Sequence, residues 1–239
     1  MTYHALTIEE VADYLHLTKQ AVEQLVRSYA IPHSRQGNRI VFQRAEIDAW
    51  ASRRLLGFSP RDLTDYHQAS SAKAHDLSAE HAILPELIQA DHIATDLRSK
   101  TKHSVIRDLV ALAERTGLLN YPDDLLAGIQ TREQQCSTAL AGGLALLHTT
   151  HHEPYLAEDS FIVLGRTVQP VPFGSPDGRT TDLFFLVCAQ DERIHLHLLA
   201  RLCMCAYHTP LLTELREAVD AGSMLTSLLA AEQAVIAAL

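Results

Sequence analysis

The stretch Arg132-Glu-Gln-Gln-Cys-Ser-Thr-Ala-Leu-Ala-Gly-Gly-Leu-Ala-Leu-Leu-His148 leaves a helical segment, crosses a turn of small residues and ends a short apolar strand on a histidine. Working outward, residues 122–131 have helical periodicity. Val105, Ile106, Leu109, Val110, Leu112 and Ala113 trace an earlier helix that stops at Gly117, a natural residue just past a helix end. Downstream, 161–168 and 183–189 read as strands, the second fully buried, and 192–207 returns to a helical period. Thr209-Pro210 opens a further helix to about residue 219, and 223–238 reads as the last. Alternation of this kind predicts an α/β domain with a covered sheet.

The candidate chemistry gathers around that stretch. His148 closes the strand of residues 143–148 and is followed by His151, His152 and Glu153, while His195 and His197 lie near the start of a helix. One reading is a metal site, because His148, His151, His152, Glu153 and His195 offer enough nitrogen and oxygen ligands for zinc. It requires His151, His152 and His197 to converge on His148, and the chain has no H-E-x-x-H. The other reading is a phosphohistidine: imidazole is a competent nucleophile near neutral pH, and Arg132 can place a permanent planar cation beside a phosphoryl group.

The first 55 residues form a different pattern. Thr7-Ile-Glu-Glu10 fits a capping box ahead of an apolar face made by Val11, Ala12 and Leu15. After a three-residue break, Thr18 can cap a second helix with Val22, Leu25 and Val26 inward and Lys19, Gln20, Glu23, Gln24 and Arg27 available outside. Two short helices across such a turn make a helix-turn-helix, whose second helix usually enters the major groove. Beyond Pro32, a Gly37-Asn38 turn and Ile40-Val-Phe42 predict a hairpin tipped by Arg35 and Arg39. A third helix, 45–54, brings Ile47 and Trp50 to the core.

Between the two patterns, residues 55–80 lose periodicity at Ser59-Pro60 and become rich in Ala, Ser and polar groups, predicting a linker or a loosely packed helix. Of the 239 residues, the first 55 carry seven Lys/Arg against six Asp/Glu, whereas the remainder is ten charges to the acidic side. Duplex DNA would therefore be met by the head and repelled by the body. Cys136, Cys188, Cys203 and Cys205 include no C-x-x-C, and no apolar run approaches the ~18 residues of a membrane span. A reduced, cytoplasmic protein without membrane insertion is expected.

Two resemblances sharpen these readings. Leu6-Thr-Ile-Glu-Glu-Val-Ala, Leu17-Thr-Lys-Gln-Ala-Val, Ile31-Pro, the Gly37 turn, Ile40-Val-Phe and Glu46-Ile-Asp-Ala-Trp50 resemble the excisionase-like winged helix-turn-helix family. That resemblance implies double-stranded DNA as partner and Lys19, Gln20, Gln24, Arg27, Arg35 and Arg39 as its contacts. The stretch from Arg132 to His148 looks like the active-site signature of the fructose/mannitol-type enzyme IIA of the bacterial phosphotransferase system, shared with the nitrogen-regulatory IIA proteins. Val171-Pro-Phe-Gly-Ser-Pro-Asp-Gly178, Leu183-Phe-Phe-Leu-Val and Ile194-His-Leu-His-Leu-Leu-Ala200 continue it in order. Where that family commonly has Ile-Pro-His, this chain has Leu146-Leu147-His148.

The second resemblance implies a mixed sheet flanked by helices, with His148 as phosphoryl acceptor, His195 as second active-site histidine and Arg132 as supporting cation. Ser137 and Thr138 would be phosphate-proximal hydroxyls or local caps. No cofactor and no metal are implied. The expected organisation is a winged helix-turn-helix domain at 1–56, a linker at 57–80 and an enzyme IIA-like domain at 81–239. The expected function is a DNA-binding regulator phosphorylated on histidine by an HPr-type phosphocarrier, dimeric on paired half-sites. The alternative is a phosphocarrier, and so a phosphotransferase, relaying phosphate to a sugar-specific IIB protein. A metal-dependent hydrolase comes third.

Overall fold

The computed structural model describes residues 5–37, 39–71, 81–150, 155–190 and 192–239. Its first elements follow the capping signals. Thr7 caps α1 (Ile8–Tyr14) in a complete capping box with Glu10, and Thr18 caps α2 (Lys19–Arg27) by accepting from the Ala21 amide. Strands β1 (Ser34–Gln36) and β2 (Arg39–Val41) form the expected antiparallel hairpin, with Gly37 in the left-handed region at φ +62°. Asn38 of that turn lies outside the described residues. Helix α3 (Arg44–Leu56) closes the head with Ile47 fully buried, and the Trp50 indole N–H donates to the Ala30 carbonyl at 2.7 Å.

The stretch expected as a linker contains α4 (Pro60–Ser71). What reads in sequence as an interruption is a helix start: Ser59 and Asp62 cap one another reciprocally, with proline at the first helical position, where its missing N–H costs nothing. Leu63 is wholly buried, so α4 is a packed element.

The C-terminal part begins with α5 (Leu84–Leu87), β3 (Ile93–Leu97), α6 (Lys102–Glu114) and α7 (Pro122–Gln135). It continues through β4 (Ala139–Leu140), β5 (Leu144–Leu147), β6 (Phe161–Val171) and β7 (Thr181–Cys188), then α8 (Glu192–His208), α9 (Leu211–Glu217) and α10 (Ala221–Ala237). The five strands lie in the order β3-β6-β7-β5-β4. β3 is parallel to β6 and β5 to β7, while β6–β7 and β4–β5 are antiparallel. The sheet is therefore mixed and flanked by helices. β3 and the two-residue β4 are additions to the strands read from periodicity.

Alternation along the strands divides the core into two layers, as the two-residue period of a strand requires. Leu144, Leu146, Ile162, Leu164, Leu183, Phe185 and Val187 pack in one layer with the residues of α8 and α10. Ala145, Leu147, Phe161, Val163, Phe184 and Leu186 pack in the other with those of α6 and α7. The first layer continues without a break into the head, through Leu55 and Leu63 to Val11, Val22 and Phe42. Helix α8 explains this continuity. From His195 to Ala206 every residue is buried, because α3 and α4 cover the face that the sheet, α9 and α10 leave open. A helix this poor in charged residues is enclosed on every side, and α3 and α4 complete the enclosure.

Candidate functional site

His148 follows Leu147 directly at the end of β5 and shares the parity of Leu144 and Leu146, so strand alternation places it toward α8. Its ring stands 4.8 Å from that of His195, centroid to centroid, at an interplanar angle of 54°. His148 Nδ1 lies 2.8 Å from the Leu146 carbonyl, which can only accept, so Nδ1 carries the proton. Nε2 then holds the lone pair, and it accepts from Arg132 Nε at 3.2 Å. Leu147, where proline is commonly found, pairs in register with Leu186 of β7 and so extends β5 up to the histidine.

Arg132 comes from the last turn of α7 and is 1% exposed. Its Nη1 donates to the Cys136 carbonyl at 2.8 Å, while Nη2 is buried with no hydrogen-bond partner. Burial lowers its pKa, and the neighbouring Cys136 and Glu133 oppose that shift. Glu133 holds the following turn in place. One carboxylate oxygen accepts from the Thr138 amide and hydroxyl at 3.0 and 2.7 Å, and the other accepts from Lys102 Nζ at 2.8 Å. The Ser137 hydroxyl donates to the Phe173 carbonyl at 2.7 Å. Both hydroxyl protons read as phosphate-proximal are thus committed to holding the turn that carries the Cys136 carbonyl. Glycine enters where bulk is forbidden: a Cβ at Gly128 of α7 would lie 2.9 Å from the Thr149 methyl, next to the histidine.

His195 and His197 are two positions apart on a helix, about 200° around its axis, and they face different partners. His195 meets His148. His197 stacks at 4.6 Å on His67 of α4, in a buried cluster where Arg201 Nε donates to His67 Nε2 at 3.1 Å and Arg201 pairs with Glu232 at 3.3 Å. The convergence of His197 on His148 that the metal reading needs is not found. His151, His152 and Glu153 lie outside the described residues, among which no group of three or more His, Cys, Asp or Glu is placed to hold a metal. Cys188, Cys203 and Cys205 are buried, and burial pushes the Cys205 thiol up to about 12. Sequence reasoning missed the Glu133 clamp and the His67–His197 cluster; the run from Ile194 to Tyr207, in which Arg201 is the one charged residue, is the signal that could have exposed the second.

In the head, Lys19, Gln20, Gln24 and Arg27 on α2 and Arg35 and Arg39 on the hairpin are all exposed. Lys19 pairs with Glu9 at 2.5 Å and Arg27 with Glu23 at 3.2 Å.

Comparison with known proteins agrees with both halves of this architecture. Residues 5–55 match the family model of a helix-turn-helix domain. The "PTS system fructose-specific EIIABC component" of Bacillus subtilis (strain 168) is 28% identical over 137 residues, 56% of this chain and 21% of that one. The chain therefore spans about a fifth of the curated relative it matches. Among solved structures, nitrogen regulatory protein IIA-Ntr from Neisseria meningitidis superposes with a TM-score of 0.55 at 24% identity, over 61% of this chain and 99% of that one. The mannitol IIA of Escherichia coli superposes at 0.53 and 18% identity, over 59% and 98%. That protein has also been solved with phosphorylated IIB, where the IIA chain superposes at 0.53 and 18% identity over 59% of this chain and 96% of that one. No helix among the described residues is long and apolar enough to cross a membrane. Residues 86–230 match the family model "Phosphoenolpyruvate-dependent sugar phosphotransferase system, EIIA 2", and the chain belongs to that family.

Proposed function

We propose that this protein is a DNA-binding regulator whose EIIA domain accepts a phosphoryl group on His148 Nε2, with an HPr-type phosphocarrier as donor. The observation that carries the proposal is the set Arg132, His148 and His195, joined in one chain to a helix-turn-helix head. Nε2 of the neutral ring attacks phosphorus in line. The new N–P bond forms as the donor's P–N bond breaks, and that electron pair returns to the donor nitrogen. The Leu146 carbonyl, 2.8 Å from Nδ1, stabilises the positive charge that the phosphorylated ring shares with its N–H. Arg132 exchanges its bond to Nε2 for bonds to the phosphoryl oxygens, and Nη2 is a further donor with no bond to give up. Such preplaced charge supplies most of the stabilisation in phosphoryl transfer. His195 adds a neighbouring hydrogen-bonding group. Ser137 and Thr138 act by holding the turn.

Double-stranded DNA is the head's partner, met by α2 and by Arg35 and Arg39 of the hairpin, and a dimer presents two heads to paired half-sites. With labelled phosphoenolpyruvate and the general phosphotransferase proteins, the chain should take up acid-labile, base-stable label. His148→Ala should abolish it and His195→Ala should slow it. Label that survives His148→Ala refutes the assignment. A relay of phosphate to a IIB protein is the second reading, favoured by the Escherichia coli mannitol IIA solved with phosphorylated IIB. Passage of label from this chain to a IIB partner would support it.

A further inference from the structure

We infer that Tyr29, just past the end of α2, is a DNA-backbone contact whose phenol donates to a phosphate of the strand bounding the groove that α2 enters. The inference rests on double-stranded DNA as the head's partner and adds an uncharged contact to the exposed cations of α2 and the hairpin.

Helix α2 closes with a pair of nested hydrogen bonds. The Ala30 amide donates to the Leu25 carbonyl at 2.9 Å and the Tyr29 amide to the Val26 carbonyl at 3.1 Å, with Ser28 as the cap residue. That pattern requires a left-handed residue just past the cap, and Tyr29 is that residue, at φ +55°. Glycine ordinarily occupies such a position, because a Cβ there crowds the following carbonyl oxygen. Here the position carries an aromatic side chain that is 86% exposed. The fold thus bears a strained backbone for a ring that buries little of its surface in return. Such an outlier points to a role outside the fold.

The surroundings identify that role. Tyr29 lines a cleft of about 440 Å³ between α2 and the hairpin, with Glu23 and Arg27 on the helix side and Arg35 on the other. Its ring lies 5.7 Å from that of His33, and His33 is itself anchored. The His33 Nδ1 donates to the Ile31 carbonyl at 2.9 Å, and its ring stands 6.4 Å from that of the buried Phe42. A ring resting on a fixed neighbour costs less to hold against a ligand. Glu23 and Arg27 follow Gln20 and Gln24 at helical spacing, so the cleft borders the face of α2 that meets the bases. Sugar-phosphate strands bound every groove of a duplex. With α2 in the major groove, the cleft beside it lies over one such strand. Arg27, shared with Glu23 at 3.2 Å, and the exposed Arg35 set positive charge on both walls. The tyrosine hydroxyl adds a donor of the kind that fixes a protein's register on the phosphates.

The test compares full-length wild type, Tyr29→Phe and Tyr29→Gly on one labelled duplex that wild type enriches from a random-sequence pool. Fluorescence anisotropy is read across a salt series, and thermal unfolding is followed in parallel. Tyr29→Phe keeps the ring and should unfold as wild type does, while its affinity falls roughly tenfold, the weight of one hydrogen bond to a charged group. Because the lost group is uncharged, the slope of log K against log salt should not change, unlike that of a variant lacking an arginine. The same loss should appear on duplexes carrying single base-pair changes. Tyr29→Gly should bind no better than Tyr29→Phe yet unfold at or above the wild-type temperature, an opposition that a merely structural tyrosine does not produce. Wild-type affinity in Tyr29→Phe, whatever the unfolding of Tyr29→Gly, overturns this inference and leaves the head on DNA through its cations. A loss confined to particular base pairs moves the hydroxyl to a base edge and overturns the phosphate contact. Failure of wild type to enrich any duplex overturns both readings.

Discussion

Lowering the pH from 7.5 to 5.5 should weaken the fold at the junction between head and body, and His197→Leu should remove about half of that effect. His67 and His197 stack there, and both are almost fully buried. Burial first, and the charge of Arg201 second, hold His67 down at about 3. His197 is held at about 2 by burial, then by His67, Arg201, His81 and His16. Both values lie below the ordinary imidazole value near 6.5, so the unfolded chain binds these two protons first. The stabilisation is therefore complete above about pH 6.5 and is lost as pH falls toward the folded values. Each group contributes a slope approaching 1.4 kcal/mol per pH unit below 6.5, so the step from 7.5 to 5.5 costs about 3 kcal/mol for the pair.

The assay is urea unfolding of wild type and His197→Leu at both pH values. Taking the difference between the two proteins cancels every titration they share. The variant should lose about 1.4 kcal/mol less than wild type over that interval. At pH 7.5 it should be as stable as wild type or more so, because both ring nitrogens of His197 are buried without a hydrogen-bond partner and leucine leaves no such group. An identical pH loss in the two proteins would refute the reasoning.

Two further predictions concern α4 and the head. Leu63→Ala, which empties a fully buried position on α4, should cost about 2–5 kcal/mol in chemical denaturation; a loss comparable to that of an exposed site would mean that α4 is dispensable. Replacing Arg35 and Arg39 by Ala should weaken DNA binding and make the dependence of log K on log salt shallower by about two contacts' worth; an unchanged slope in an electrophoretic or anisotropy titration would remove the hairpin from the interface.

Much of the site is legible in the chain because its signals are local. Thr7 with Glu10 and Thr18 ahead of α2 satisfy orphan amides three residues away, and such caps are visible as short motifs. The strand that ends on His148 is likewise visible as an apolar run, and the motif from Arg132 to His148 spans only one helix end, one turn and one strand. Local signals also mislead when the neighbouring structure is unknown. Ser59-Pro60 reads equally as a break or as a helix start, and only the burial of Leu63 against the body settles it. β3 escaped because its five residues are half-covered, in the burial pattern of an edge strand rather than a continuous apolar run.

What the sequence by itself determined is therefore the two modules, their order and the pairing of His148 with Arg132, since each depends on residues close in the chain or on a compact motif. Only the tertiary structure decided that the head is packed into the body's core, that His195 and His197 serve opposite sides of α8, and that Ser137 and Thr138 spend their hydroxyls on the turn. The physical reason is separation. The bond from Arg201 to His67 joins residues 134 apart, and the value of such a contact depends on which buried faces meet once the chain has folded, which no local pattern encodes.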